Sequence, residues 1–198
     1  MKKILMFVLF LFALTPLTVS AAETYTVQPG DSMWKIAVRY QIGVTEIIEA
    51  NPQVENPNLI YPKQKLNIPN IDTIKHTEHQ VIQLTNQERA KHGLPALKPD
   101  WELSRVARYK SQDMHDKRYF SHTSPTYGSP FTMMQNFGIN YTKAAENIAR
   151  GQRTPNEVVQ AWMDSPGHRK NILTGEYTHI GVGYVKDGNY WTQMFITK

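Results

Sequence analysis

Thr154-Pro155-Asn156-Glu157-Val158-Val159-Gln160-Ala161-Trp162-Met163-Asp164-Ser165-Pro166-Gly167-His168 carries the clearest helix start in the chain. Thr154 is a capping residue, Pro155 sits at the first helical position, and Glu157 completes a capping box. Val158, Val159, Ala161 and Trp162 form the apolar run, and Ser165-Pro166-Gly167 stops it. Upstream, Pro99-Asp100 opens another helix with Leu103, Val106, Ala107, Lys110 and Met114 on one stripe. Before that, Val81, Ile82, Leu84 and Thr85 begin a helix that runs to Lys91, where His92-Gly93 ends it and Pro95 follows. Downstream the period changes to that of strands. Ile180, Val182 and Tyr184 face one way, Trp191, Gln193 and Phe195 belong to the returning strand, and Asp187-Gly188 between them signals a hairpin. Helices first and a hairpin last predict an α+β domain over residues 80–198, with helices on a mostly antiparallel sheet.

A second unit precedes it. Tyr25-Thr26-Val27 reads as a short strand, and Pro29-Gly30-Asp31-Ser32 as a turn whose Asp31 or Ser32 caps the next helix. Trp34, Ile36, Ala37 and Tyr40 recur at helical spacing. A second helix over about Thr45 to Ala50 turns Ile47 and Ile48 inward, and Asn51-Pro52 ends it. Lys65-Leu66-Asn67-Ile68 is a final strand, so residues 23–69 read β-α-α-β. Residues 70–79 are polar and predict a short connector.

Composition narrows the function. Lys2 and Lys3 precede an apolar run from Ile4 to Leu14, then Pro16 and the small residues Val19-Ser20-Ala21-Ala22. Residues 1–22 therefore predict a secretory signal peptide, with a run too short to span a bilayer comfortably. No later segment is apolar enough to cross a membrane, so the mature protein is expected to be soluble and outside the cytoplasmic membrane. The chain has no cysteine, which leaves stability to packing and removes thiol catalysis and thiolate zinc sites. Formal charge is +5 at pH 7, without a basic run or the aromatic-basic interleaving of a nucleic-acid groove.

Three short phrases carry the chemistry: Phe120-Ser121-His122-Thr123, Ala145-Glu146-Asn147 and Gly167-His168-Arg169. Two imidazoles and a carboxylate can ligate a metal or move protons. The same histidines can also serve as structural hydrogen-bond hubs. Ser121, Ser124 and Ser165 lie near them, but no Gly-x-Ser-x-Gly elbow is present, nor a His-Glu-x-x-His zinc motif. A site does not establish an activity, and binding is favoured over catalysis. If there is catalysis, Glu146, His122 and His168 are its candidates.

Residues 24–69 resemble a LysM domain through Tyr25-Thr26-Val27-Gln28-Pro29-Gly30-Asp31-Ser32-Met33-Trp34-Lys35-Ile36-Ala37, Ile47-Ile48-Glu49-Ala50-Asn51-Pro52 and Leu59-Ile60-Tyr61-Pro62-Lys63-Gln64-Lys65-Leu66. The resemblance implies binding of N-acetylglucosamine-containing glycan, chiefly peptidoglycan or chitin, at Gly30, Asp31, Ser32, Met33, Asn58, Leu59, Ile60 and Tyr61. Lys63 stands where that family usually has glycine, a departure that costs stability if the turn needs positive φ.

Residues 80–198 resemble the cysteine-free bacterial form of the CAP superfamily through Leu84-Thr85-Asn86-Gln87-Glu88-Arg89, Leu94-Pro95-Ala96-Leu97, Phe120-Ser121-His122-Thr123-Ser124-Pro125, Ala145-Glu146-Asn147-Ile148-Ala149, Trp162-Met163-Asp164-Ser165-Pro166-Gly167-His168-Arg169-Lys170-Asn171-Ile172-Leu173 and Ile180-Gly181-Val182-Gly183-Tyr184. The resemblance implies an α-β-α sandwich with one cleft lined by His122, Glu146, Asp164 and His168, where Ser165 competes for the place given to Asp164. It also implies a divalent metal such as Zn²⁺ on His122 and His168. The pairing implies a secreted protein of a Gram-positive wall or spore envelope, whose partners are peptidoglycan and envelope proteins. A wall-bound binding module is the favoured reading. A metal-dependent hydrolase of wall peptides or proteins and a lipid or small-molecule carrier are the alternatives.

Overall fold

The computed structural model describes residues 23–198; the predicted signal segment, residues 1–22, lies outside them. The first unit runs β1 (Glu23–Thr26), α1 (Met33–Tyr40), α2 (Val44–Glu49) and β2 (Lys65–Ile68). Strands β1 and β2 pair antiparallel, with Tyr25 opposite Leu66. Ser32 caps α1 by accepting from the Lys35 amide at 3.2 Å. Ile36, Ile47 and Leu66 fill the core and are fully buried. The buried stripe of α1 starts at Met33 and continues through Ile36 and Ala37. Trp34 is off that stripe and exposed, contrary to its expected place on the helix's apolar face. Ile48 is only half-buried. Lys63 does adopt positive φ, +72°.

The connector expected over residues 70–79 is helical from Asp72. Helix α3 runs Asp72–Lys91, nine residues earlier than the apolar pattern indicated. Asn70 receives its first amide, that of Asp72, at 2.8 Å. The extra turns escape a hydropathy reading because they bury a charge. Glu78 is held by Arg108 Nε at 2.9 Å and by the Tyr184 amide at 3.1 Å. Burial pushes its carboxyl up to about 7, against the pull of Arg108 and the Tyr184 amide. The same region docks the two units. Arg108 also faces Glu46 of α2 at 3.5 Å, the Tyr109 hydroxyl donates to Glu46 at 3.2 Å, and Lys75 donates to the Tyr40 carbonyl at 2.9 Å.

The second unit continues β3 (Lys98–Pro99), α4 (Trp101–Asp116), α5 (Pro130–Asn136), β4 (Lys143–Arg150), α6 (Pro155–Asp164), α7 (Pro166–Ile172), β5 (His179–Val185) and β6 (Tyr190–Thr197). Helices α5 and α7 and strand β4 had no clear periodic signal. The sheet order is β3-β5-β6-β4; β3 pairs parallel to β5 and the other pairs are antiparallel. One face packs on α3, α6 and α7 through Val81, Val158, Trp162 and Ile172 against Val182, Trp191 and Phe195. The other packs on α4 and α5 through Leu103, Ala107, Met133 and Met134 against Met194 and Ile196. The result is the expected α-β-α sandwich.

Two caps act as the sequence indicates. Asp100 receives the Leu103 amide and Thr154 receives the Glu157 amide. Glu157 reaches back to the Arg153 amide instead of the Thr154 amide, so the capping box is shifted by one residue.

Helix α4 comes unusually close to β5. A Cβ at Gly181 would lie 2.4 Å from the Leu103 carbonyl carbon, and one at Gly183 2.1 Å from the Ala107 carbonyl carbon. Both obstacles are backbone, which cannot rotate away. Gly183→Ala is therefore expected to destabilise the protein by about 3 kcal/mol or more through overpacking. Urea unfolding checks this; a change below about 1 kcal/mol would mean the helix can lift without cost.

Candidate functional site

Strand β4 is an edge of the sheet, and the site straddles that edge. Glu146 and Ile148 point to the α4 face, where Ile148 packs with Met114 and Tyr190. His122 arrives from the loop after α4, and its Nδ1 meets Glu146 Oε1 at 2.8 Å. His168 arrives from α7 on the opposite face, and its Nδ1 pairs with Ser165 Oγ at 2.9 Å. Between them lies a cleft of about 500 Å³ whose lining includes Phe120, His122, Ile148, Arg150, Trp162 and His168.

The loop bearing His122 hangs on two buried groups of α4. Lys110 is fully buried, and its ammonium donates to the carbonyls of Ser121 at 2.8 Å and His122 at 2.9 Å and to the Tyr119 hydroxyl at 3.1 Å. Asp113 accepts from Ser124 at 2.6 Å and from Tyr119 and Thr126 at 2.5 Å each. Burial opposes the Asp113 charge, but these three hydroxyl donors outweigh it and hold its carboxyl below the ordinary range. Burial likewise lowers Lys110, offset by Glu146 and Asp113.

A buried polar chain fixes the other side. Thr85 accepts from Gln193 at 2.8 Å, and Gln193 accepts from Asn147 at 3.0 Å. Asn147 also donates to the His168 carbonyl at 3.2 Å and accepts from Asn171 at 2.8 Å.

The electrostatics divide the site into a covered acid and open imidazoles. The Glu146 side chain is 1% exposed and that of His122 is 53% exposed. Burial raises the Glu146 carboxyl, with the His122 hydrogen bond and Lys110 charge opposing the rise. Glu146 Oε2 is buried without a hydrogen-bond partner. Burial, then the proximity of His122, lowers His168, which favours neutral imidazole. Each histidine has its Nδ1 engaged, so Nε2 is the atom left for a ligand.

The expected fourth cleft residue is corrected. Asp164 is exposed, accepts from Gln160 at 2.8 Å and does not line the cleft; Ser165 does. Asp164 is the last residue of α6, where the helix still points it to solvent, and the chain turns into the cleft one residue later. The donor set also falls short of a zinc centre. Zinc takes four protein ligands in structural sites and three in catalytic ones. Among the described residues, no three His, Cys, Asp or Glu side chains stand close enough to hold an ion together. His122 and His168 alone do not fit a resident zinc.

The residues expected in the glycan groove of the first unit divide in the same way. Val27 N–H to Gln64 O at 2.9 Å and Lys63 N–H to Val27 O at 2.8 Å bring the two predicted loops side by side. Asp31 is occupied locally, accepting from Tyr25 at 2.6 Å and the Gln28 amide at 2.8 Å, and Ser32 caps α1. Gly30 turns the loop at φ +85°. Met33 is buried in the core, a correction to its expected place in the groove. Ile60 packs against that core, and Asn58 is exposed. Leu59 and Tyr61 are 52% and 59% exposed, as is Trp34 at 59%, which the site reading missed.

Comparison with known proteins agrees with the fold. The model of the cysteine-rich secretory protein family, CAP, matches residues 82–196.

The chain belongs to the CAP family.

The LysM domain model matches residues 25–69. The uncharacterized protein YkwD of Bacillus subtilis is 64% identical over 121 residues, 61% of this chain and 47% of that protein. An extracellular protein containing a SCP domain from Bacillus anthracis superposes with a TM-score of 0.61 at 36% identity, over 68% of this chain and 46% of that one. The chain thus spans about half the length of these relatives. A spore coat assembly protein of Bacillus cereus, ExsA, is 39% identical over 47 residues, 24% of this chain and 7% of that protein.

Arg150 and Gln152, which no motif marked, line the CAP cleft together with Phe120 of the His122 phrase, and Lys110 holds the His122 loop. Lys110 was legible only as an anomaly, a charge on an apolar stripe. Lys110→Met keeps that stripe apolar but strips donors from two carbonyls. It is expected to cost about 2–3 kcal/mol in urea unfolding and to increase exchange of the 119–124 amides. Unchanged stability and exchange would show that the loop holds itself.

Proposed function

We propose that this is a secreted protein of the Gram-positive cell envelope, in which the LysM domain holds the chain on N-acetylglucosamine-containing glycan and the CAP domain binds a wall-associated ligand in its His122/His168 cleft. The observation that carries the reading is the pairing of two separate open sites. Leu59 and Tyr61 stand exposed beside the Gly30 turn, and the CAP cleft lies at the edge of β4. The domain contacts use Tyr40, Glu46, Tyr109 and Arg108, which leaves the LysM loops uncovered. No helix among the described residues is long and apolar enough to cross a membrane.

Binding is the chemistry the cleft supports best. It offers two imidazole Nε2 atoms, a guanidinium and an apolar floor, while the acid sits beneath His122. Tethering adds effective concentration: a ligand on the same polymer is held near the cleft without added contact area. A place in the spore envelope is part of the proposal. The short match to a protein named for spore coat assembly supports it.

Co-sedimentation with purified peptidoglycan tests the assignment of roles. Leu59→Asp with Tyr61→Ala is expected to weaken retention at least about tenfold. His122→Ala with His168→Ala is expected to leave the LysM-dependent retention in place. Retention unaffected by the first pair would overturn the anchoring role of the LysM groove.

A further inference from the structure

The chemistry along the CAP cleft is one-sided. No Asp or Glu is among the residues that line it, whereas Arg150, His122 and His168 are. The Arg150 guanidinium lies 4.8 Å above the Tyr190 ring, a cation–π contact that orients its charge. Two residues on, the Gln152 carbonyl is anchored by Trp191 Nε1 at 2.8 Å. The side-chain Oε1 of Gln152 is buried and has no donor. It therefore loses no hydrogen bond by turning toward a ligand N–H, and gains one. Ile148, Ala149 and Ala161 supply an apolar, shallow floor.

The β4 edge does not invite an added strand. Its Ile148 carbonyl accepts from Trp162 Nε1 at 3.2 Å and its Glu146 carbonyl from Asn171 at 3.3 Å. Strand addition needs those groups free. An occupant must be held by side chains and by its own charge.

We propose that the cleft takes the carboxy-terminus of a peptide whose last residue is small and apolar. The inference rests on the reading of this cleft as a binding site. Arg150 pairs with the terminal carboxylate, Gln152 Oε1 accepts the last amide N–H, and the Ala149–Ala161 floor takes a methyl-sized side chain. Nε2 of His122 and of His168 remain for polar groups further up the peptide. Peptide stems of a wall polymer present such termini on the glycan that a LysM domain grips, so one polymer can fill both sites.

Calorimetric titration of the purified protein with N-acetyl-D-alanyl-D-alanine and with its carboxamide tests this. The free acid is expected to bind about tenfold or more tightly than the amide. Arg150→Gln should reduce the acid to the level of the amide, and Arg150→Lys should restore part of the difference. Arg150 is exposed, so neither change threatens the fold. Gln152→Ala should weaken acid and amide alike. Equal binding of acid and amide, or discrimination that survives Arg150→Gln, would overturn the proposal while leaving the cleft a binding site. If neither peptide binds, the proposal falls. Peptidoglycan titrated onto the Leu59→Asp/Tyr61→Ala variant then separates the readings. Residual binding abolished by His122→Ala/His168→Ala keeps the cleft as a wall-binding site, and no residual binding removes that reading too.

Discussion

Helix α4 rests on strand β5 with no side chain between them at Gly181 and Gly183, and its other faces are positioned by that contact. Once the helix axis is fixed this close to the sheet, Arg108 reaches Glu78 of α3 and Glu46 of the LysM domain. Two and five residues on, Lys110 and Asp113 reach the loop that carries His122. Ser111 closes the arrangement by donating to the Gly183 carbonyl or the Thr192 hydroxyl, at 3.1 and 2.9 Å. A single helix thus aligns the domain junction and the cleft.

The cost of this design is buried charge. Lys110, Arg108, Glu78, Asp113 and Glu146 are all largely removed from water, and each has at least one polar partner, although Arg108 Nη1 and Glu146 Oε2 have no hydrogen bond. Replacing one partner leaves the other charged and dry, which is more harmful than losing the pair. In a chain without cysteine, these polar clamps do work that disulfides do in disulfide-bonded folds. They hold loops that carry few apolar side chains of their own.

The regular parts of the fold were legible because they obey period and capping rules. Asp100, Thr154 and the Ile180–Phe195 alternation all behave as read. What escaped is polar burial. The first turns of α3 looked like a linker because Lys75 and Glu78 are charged, yet Lys75 binds the LysM domain and Glu78 is in the interior. Strand β4 resisted a period reading because Glu146 and Asn147 are polar and both inward, one toward each face. His122, Glu146 and His168 were recoverable from their phrases. Asp164 was not distinguishable from Ser165, since one residue at a helix end decides between solvent and cleft. Arg150 and Gln152 carried no motif; only the position of β4 at the sheet edge brings them to the site.

The proposed roles of the two domains meet in one arrangement: a single wall polymer engaging both the LysM groove and the CAP cleft. Hydrogen exchange on protein loaded onto insoluble peptidoglycan, compared with free protein, tests it most directly. Protection is expected in two separate sets: the loops around 28–33 and 58–62, and the cleft segments around 119–123, 148–152 and 165–168. Protection confined to the LysM loops, with the cleft exchanging as in free protein, would contradict it.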